Sequence, residues 1–599
     1  TKFQSFMKRC VFITLLCLGI IGLVTACAPK LPRTIDNPIV TGNNTSRLEI
    51  TKVELTDSAT TLSVHAEFRP HYWIRVSSGS VLAADGKNYR LISAEGIEPD
   101  KEFWMPDSGK ANFKLIFEPL PAATQTFDFI EEPGGWQIWD IDAVGDRKSD
   151  DIYKEVPGTL KAAPTSSTLS APVLTNDSAT INVHMLAYRE GMPDGLSIYL
   201  NPLVGRQKEF SLKLDSLGNA STTLMLNGTT EIFFADASLG ASYGAIHIDP
   251  GENIDVYLRP VMLTPRVSNY PFRTSSNGHH ADWEYADANA RQHLSMTSLY
   301  TPRDISYADT HDVFLQKLVA HYNAWSDSIN AMDLPEAVKE YSRLRLQGAV
   351  MNAVAEPTSV IYSNFYRSLK EGDNPELPFD SIKTHELDET AFAVIGKLFD
   401  TGNPKLIMTG LEAGPDWRKH GATTAVTSAL TPFAKAIGKA EKMQLTDSMA
   451  DALAADFDPF FRDAALRCQA DAKAAHERLS NSGLLQKTPE AAPEKLLQAI
   501  VAPHKGKVVL VDLWNTWCGP CRASIKANEP LKSTELASDD IVWIYIADES
   551  SPATTYMSMI PDIKGLHYRL SGEQIQKIRD QFKVDGIPCY IFCLLYTSP

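Results

Sequence analysis

Two cysteines spaced to react with each other are the clearest chemical feature of the chain. Cys518 and Cys521 stand in the run Asn515-Thr516-Trp517-Cys518-Gly519-Pro520-Cys521-Arg522. Before it comes Lys507-Val508-Val509-Leu510-Val511-Asp512-Leu513-Trp514, which reads as a buried strand. A C-x-x-C pair between an apolar strand and a helix start is a dithiol arrangement. One C-x-x-C supplies two metal ligands where zinc wants four, so the pair is not read as a metal site. Cys518 at a helix N-terminus meets unpaired N–H groups carrying partial positive charge. They favour its thiolate by about 1 kcal/mol, nearly one pKa unit. That thiolate is the attacking species in disulfide exchange. Cys521, one turn on, attacks the mixed disulfide in its turn and releases the reduced product. Asp512 is a carboxylate in an apolar strand, so desolvation raises its pKa. Near Cys521 it would take that thiol's proton. A buried acid with a structural role only is the alternative.

The elements around the pair follow the same logic. Ile541 to Ala547 reads as a second apolar strand. Ser571-Gly572-Glu573-Gln574 reads as a capping box opening a helix that runs to about Phe582. Gly586-Ile587-Pro588 then leads into a strand at Cys589-Tyr590-Ile591-Phe592.

W-C-G-P-C with an aspartate upstream in the strand resembles the thioredoxin fold. Within that fold it resembles the membrane-anchored, TlpA-like thiol-disulfide oxidoreductases of bacteria. The resemblance covers residues 490–592. It implies an α/β thioredoxin domain with Cys518 and Cys521 as its redox disulfide. It implies proton transfer by Asp512 and places Trp517, Gly519 and Pro520 in the site. It further implies that Pro588 is cis and faces the C-x-x-C, so that a substrate peptide pairs in extended form with the backbone of Ile587. The Gly-Pro dipeptide resembles that of reducing members. The implied reaction is therefore reduction of protein disulfides, fed by a membrane thiol donor, with oxidase or isomerase as the other direction. No cofactor is implied. Two departures stand out. Cys589 occupies a position where the family more often has Thr or Ser; it is either a third thiol near the site or a small strand residue. Residues 593–599 lack the expected last strand and helix and read as an atypical tail, leaving the domain apparently truncated with an open sheet edge.

The rest of the chain must carry this unit. At 599 residues it holds about four domains. Its 44% hydrophobic and 22% charged content is ordinary globular usage, which excludes wholesale disorder and a polytopic membrane protein. A net charge of −16 without a Lys/Arg block argues against nucleic-acid binding. Met7-Lys8-Arg9 and the apolar run from Cys10 to Val24 read as a secretory signal. The run ends in Leu23-Val24-Thr25-Ala26-Cys27, which resembles a bacterial lipobox. This implies a signal peptide over 1–26 and lipidation of Cys27, with an uncleaved anchor helix as the alternative. Residues 27–46 read as lipid anchor and tether. The expected location is the cell envelope, facing the periplasm, with the outer membrane favoured over the inner.

Period-two runs such as Leu62/Val64/Ala66/Phe68 and Phe113/Leu115/Phe117 predict a β-rich, sandwich-like domain over 47–156. A polar linker is expected at 157–176. Strand patterns such as Ile181/Val183/Met185 and Ile254/Val256/Leu258 predict a small antiparallel sandwich over 177–265. Helical periodicity, as in Phe314, Leu315, Leu318, Tyr322 and Trp325, predicts an all-α domain of seven to nine helices over 280–482. Gly240-Ala241-Ser242-Tyr243-Gly244 matches a hydrolase pattern, but the next residues alternate like a strand. His279-His280 with Asp282 and Glu284 reads as a solvated loop, and no residue is assigned to a metal. Cys10 and Cys17 leave with the signal, and Cys468 lies on an apolar helix face, so no structural disulfide framework is expected. The rival function is an envelope binding or scaffold lipoprotein whose β and helical domains hold a partner, with the redox domain ancillary.

Overall fold

A computed structural model describes residues 30–594, apart from 133–134, 149–153, 155, 158–167, 190–191, 193, 206, 237–240, 260–273, 282–283, 285–301, 370–375, 377–384, 386–387 and 412–424. The chain is multidomain and β-rich, with several sheets and a helical region. The signal segment and Cys27 lie outside the described residues. Among the described residues no helix is long and apolar enough to cross a membrane.

The first region holds β1 (Arg33–Asp36), β2 (Gly42–Asn43), β3 (Leu48–Leu55), β4 (Thr60–Glu67), β5 (Trp73–Ile74), β6 (Val81–Ala84), β7 (Lys87–Glu95), β8 (Phe103–Trp104), β9 (Lys110–Phe117), β10 (Thr126–Ile130) and β11 (Gln137–Asp142). Nine of these strands form one sheet in the order β1-β3-β4-β9-β7-β6-β10-β11-β2. The pattern predicts a sandwich; the sheet instead curls on itself. Phe117 of β9 meets Phe129 of β10 edge to face, 6.2 Å between centroids, with two strands between them in the sheet order. The expected tether is also corrected. Residues 33–36 pair with β3, and Ile35, Val40 and Thr41 are buried. A short edge strand needs only one or two inward apolar residues, which Pro and Asn neighbours mask in the sequence.

The second region holds β12 (Asn176–Met185), β13 (Gly195–Asn201), β14 (Lys208–Lys213), β15 (Asn219–Asn227), β16 (Thr230–Asp236), β17 (Ala241–Ile248), β18 (Asn253–Leu258) and β19 (Thr274–Ser276). Two four-stranded sheets, β15-β12-β18-β19 and β14-β13-β16-β17, enclose one core of Ile181, Val183, Val256, Ile198, Ile232 and Phe234 among others. The arrangement is not wholly antiparallel, because β12 and β18 run parallel. Ser242 lies in β17, a strand and not the strand–turn–helix a nucleophile elbow needs. Much of the expected linker lies outside the described residues. Its end does not behave as a linker: Leu169 is buried in the helical core, and its N–H donates to Glu340 (3.1 Å).

The helical region comprises α1 (His311–Ala331), α2 (Glu336–Ala355), α3 (Pro357–Ser368), α4 (Glu389–Leu398), α5 (Ala425–Glu441), α6 (Asp447–Asp456) and α7 (Pro459–Asn481). Side chains of Asp388, Thr446 and Asp458 cap α4, α6 and α7 by accepting from first-turn N–H groups.

The last region runs α8 (Leu496–Val501), β20 (Val508–Leu513), α9 (Gly519–Asn528), β21 (Ile541–Asp548), α10 (Ala553–Met559), β22 (Leu566–Leu570), α11 (Gly572–Phe582) and β23 (Cys589–Leu594). The sheet order is β22-β21-β20-β23, with β20, β21 and β22 parallel and β23 antiparallel to β20. One face packs Val509, Val511 and Ile544 against Leu496, Ile500, Ile575 and Ile578 of α8 and α11. The other packs Tyr545 and Ala547 against Cys521, Ile525 and Tyr556 of α9 and α10. Ser571 and Gln574 form the expected reciprocal capping box at α11. The atypical tail begins later than residue 593, since Cys593 pairs with Val509 and Leu594 with Val508.

Candidate active site

The apolar inner strand β20 ends at Leu513, and the chain turns through Trp514–Trp517 into α9. Cys518 is the N-cap of that helix, and its sulfur accepts from the Cys521 N–H (3.2 Å). Cys518 and Cys521 form a disulfide, with Cα atoms 5.3 Å apart. Both are buried, while the Trp517 side chain between turn and helix is exposed. Gly519 and Pro520 fill the first turn, where proline's missing N–H costs nothing.

The turn is held by a polar network that local sequence patterns do not reveal. Asn515 Nδ2 donates to Asp548 Oδ2 (3.1 Å), and its Oδ1 accepts from the Asp548 N–H (3.0 Å) and from Ser551 Oγ (2.8 Å). The Thr516 N–H donates to Ser551 Oγ (3.1 Å), and Trp517 Nε1 donates to Ser550 Oγ (2.8 Å). Arg569 closes the network on the Ser551 carbonyl (3.0 Å). The loop after β21 therefore fixes the approach to the disulfide.

On the other side, the Ile587–Pro588 bond is cis. The Ile587 carbonyl oxygen lies 3.7 Å from Cys518 Sγ. Ile587 is half-buried and Pro588 exposed. Cys589 pairs with Leu513 and packs toward the α8/α11 core, the face opposite Cys521. That placement fits a strand residue.

Asp512 lies opposite Tyr545 of β21 and Tyr590 of β23. Tyr545 belongs to the same cluster as Cys521, so Asp512 faces the α9 side of the sheet. It is 1% exposed, and its Oδ1 has no hydrogen-bond partner. Burial pushes its pKa up to about 7; the Lys532 ammonium pulls the other way. Lys532 is itself paired with Glu529 and sits over the Tyr545 ring (4.6 Å). The Tyr590 hydroxyl meets Ser524 Oγ of α9 (2.5 Å). The register brings Lys532, Tyr545 and Tyr590 around the acid, which spacing along the chain cannot reveal.

A second cluster corrects the reading of His279-His280 as a solvated loop. His280 is fully buried, and its Nε2 lies 3.0 Å from Asp249 Oδ1. His279 Nδ1 lies 2.8 Å from Asp249 Oδ2. These residues are 30 positions apart, so no local pattern links them.

No family model matches the chain, and no curated protein matches it. Among solved structures, the crystal structure of a candidate thiol-disulfide oxidoreductase from Bacteroides vulgatus is similar at 25% identity and a TM-score of 0.14, covering 16% of this chain and 65% of that one. A solution structure of a candidate thiol-disulfide oxidoreductase from the same organism gives 30% identity and a TM-score of 0.14, covering 16% and 61%. A pullulanase from Bacillus subtilis, in complex with maltose, gives 13% identity and a TM-score of 0.15, covering 32% and 23%. The chain thus spans less than two thirds of the two oxidoreductase structures, and the likeness to them is weak and confined to a small part of its length.

Proposed function

We propose that the chain is a thiol-disulfide oxidoreductase acting through Cys518 and Cys521 in a thioredoxin-like, TlpA-like domain over 490–592. Its direction is reduction of protein disulfides in the cell envelope. A lipid on Cys27 anchors it there, and a membrane thiol relay supplies electrons. The observation that carries the chemistry is a buried helix-start disulfide with a carboxyl at about pKa 7 on the same sheet face.

In the reduced protein the Cys518 thiolate attacks one sulfur of a substrate disulfide. The substrate's other sulfur leaves as a thiolate, and a mixed disulfide remains. Asp512 takes the Cys521 proton as that sulfur attacks Cys518. The Cys518–Cys521 bond forms, the second substrate thiolate leaves, and two electrons have passed to the substrate. The cis-Pro588 turn offers the Ile587 backbone to an extended substrate segment.

The test is an equilibrium titration of the Cys518–Cys521 pair against a thiol buffer, with a turnover assay on a disulfide-bonded protein. A potential below about −240 mV, and turnover lost in Cys518→Ser, are the expected results. A potential near or above about −180 mV would reverse the direction. Turnover retained by Cys518→Ser would remove the activity from this site.

A further inference from the structure

Among the described residues outside the disulfide site, three ligand-type side chains converge at one end of the second β region. Asp249 lies in the turn joining β17 to β18, and His279 and His280 follow β19. One ligating atom from each lies within 4.8 Å of the others. We propose that Asp249, His279 and His280 bind a divalent transition cation of the zinc type, with water completing the coordination on the exposed His279 side.

The donor set decides the class of ion. Two imidazole nitrogens and one carboxylate oxygen suit zinc, cobalt or nickel, whereas magnesium and calcium want oxygen alone. Ligands about 2.0–2.2 Å from a tetrahedral zinc are about 3.3 Å from one another. The two imidazole nitrogens lie 2.8 and 3.0 Å from the two Asp249 oxygens, and one ligating atom from each residue lies within 4.8 Å of the others, a span that brackets that spacing.

The surroundings orient these ligands. His279 Nε2 lies 3.4 Å from Ser170 Oγ, which leaves Nδ1 directed at Asp249. Asp249 Oδ1 accepts from Thr229 Oγ1 (2.5 Å). Glu252 holds both ligand-bearing segments, accepting from the Asp249 N–H and the His279 N–H (2.7 Å each). Asp249 and His280 are buried, so two of the three ligands are held in place before an ion arrives. The Glu284 carboxylate pairs with His247 (2.9 Å), whose ring lies 5.9 Å from that of His280.

Without an ion, the imidazole N–H groups bridge to Asp249. The ion replaces those protons at the ligating nitrogens, and each neutral ring keeps its one proton on the other nitrogen. A bound ion would staple the β17–β18 turn to the segment that leaves β19.

The test uses the full chain, stripped with a chelator, with Cys518–Cys521 kept oxidised. Zinc chloride is titrated against a chromophoric chelator, and cobalt chloride is followed in the visible spectrum. One ion per chain is expected, with cobalt bands free of thiolate charge transfer. His279→Ala, at an exposed position, should weaken binding by about 100-fold or more, since loss of an outer-shell partner alone costs 10–100-fold. Asp249→Asn should weaken it as well, with circular dichroism verifying that both variants are folded. No stoichiometric binding, unchanged affinity in His279→Ala, or a thiolate band would each overturn the site.

Discussion

Two buried aspartates show how differently one side chain can be used. Asp512 lies in a strand of the last region and Asp249 in a turn of the second, and both are nearly inaccessible. Burial pushes each carboxyl's pKa upward. At Asp512 only the charge of Lys532 opposes it, and the acid rises to about 7. At Asp249 hydrogen bonds from His280, Thr229 and His279 outweigh burial and hold the carboxyl well below the usual carboxylate range. Donors, more than depth, set the direction. A carboxyl left without donors can exchange a proton near neutrality. One surrounded by donors keeps its charge and organises its neighbours.

The largest effect should come from removing the well-partnered acid. Asp249→Ala leaves the buried donors of His280 and Thr229 without their carboxylate, at about 1–3 kcal/mol each. Because the chain is multidomain, the loss is best read locally, by hydrogen exchange of the β17 and β18 amides at pH 7. A loss under about 1 kcal/mol would mean that the donors around Asp249 contribute little. Its depressed pKa adds stability that is present above about pH 4 and is lost as pH falls further.

Asp512 should behave in the opposite sense. A carboxyl whose folded pKa is raised contributes fully below its unfolded value and loses that contribution as pH climbs to about 7. The region around β20 in the oxidised protein should therefore weaken between about pH 4 and pH 7, by as much as about 4 kcal/mol. Asp512→Asn should remove this slope, raise stability at pH 8 and lower turnover by about 100-fold. Hydrogen exchange of β20 and steady-state turnover across pH measure the two. A flat wild-type profile, or a variant that keeps full turnover, would make Asp512 a structural acid.

The contrast also marks what the sequence could carry. Cys518, Cys521 and Asp512 stand within ten residues of one another, and an apolar strand running into C-x-x-C is a local pattern. The capping box at Ser571 is equally local. Asp249 and His280 are joined by a turn and a strand pairing, so their meeting depends on which strands lie side by side. Periodicity reports which face of a strand is buried and is silent on its neighbours. For the same reason it missed the curl of the first sheet, the parallel β12–β18 pair and the ring of Tyr545, Tyr590 and Lys532 around Asp512.

The smallest expected effect tests whether the two regions work separately. Arg522, directly after Cys521 on α9, forms an ion pair with Glu209 of β14, and Glu209 Oε1 also accepts from Ser197 Oγ (3.0 Å). This contact joins the disulfide helix to the second β region. Both side chains are partly screened from solvent; in Glu209→Gln the guanidinium loses its counter-charge, while the amide oxygen still accepts from Ser197 Oγ. Glu209→Gln should therefore cost about 1 kcal/mol, a loss that shrinks with added salt, and leave turnover within about twofold. Proteolysis at the junction and turnover at two salt concentrations measure both. A tenfold fall in turnover would make the second β region part of the redox site, and the separation between an exchanging acid and an organising one would no longer follow the boundary between regions.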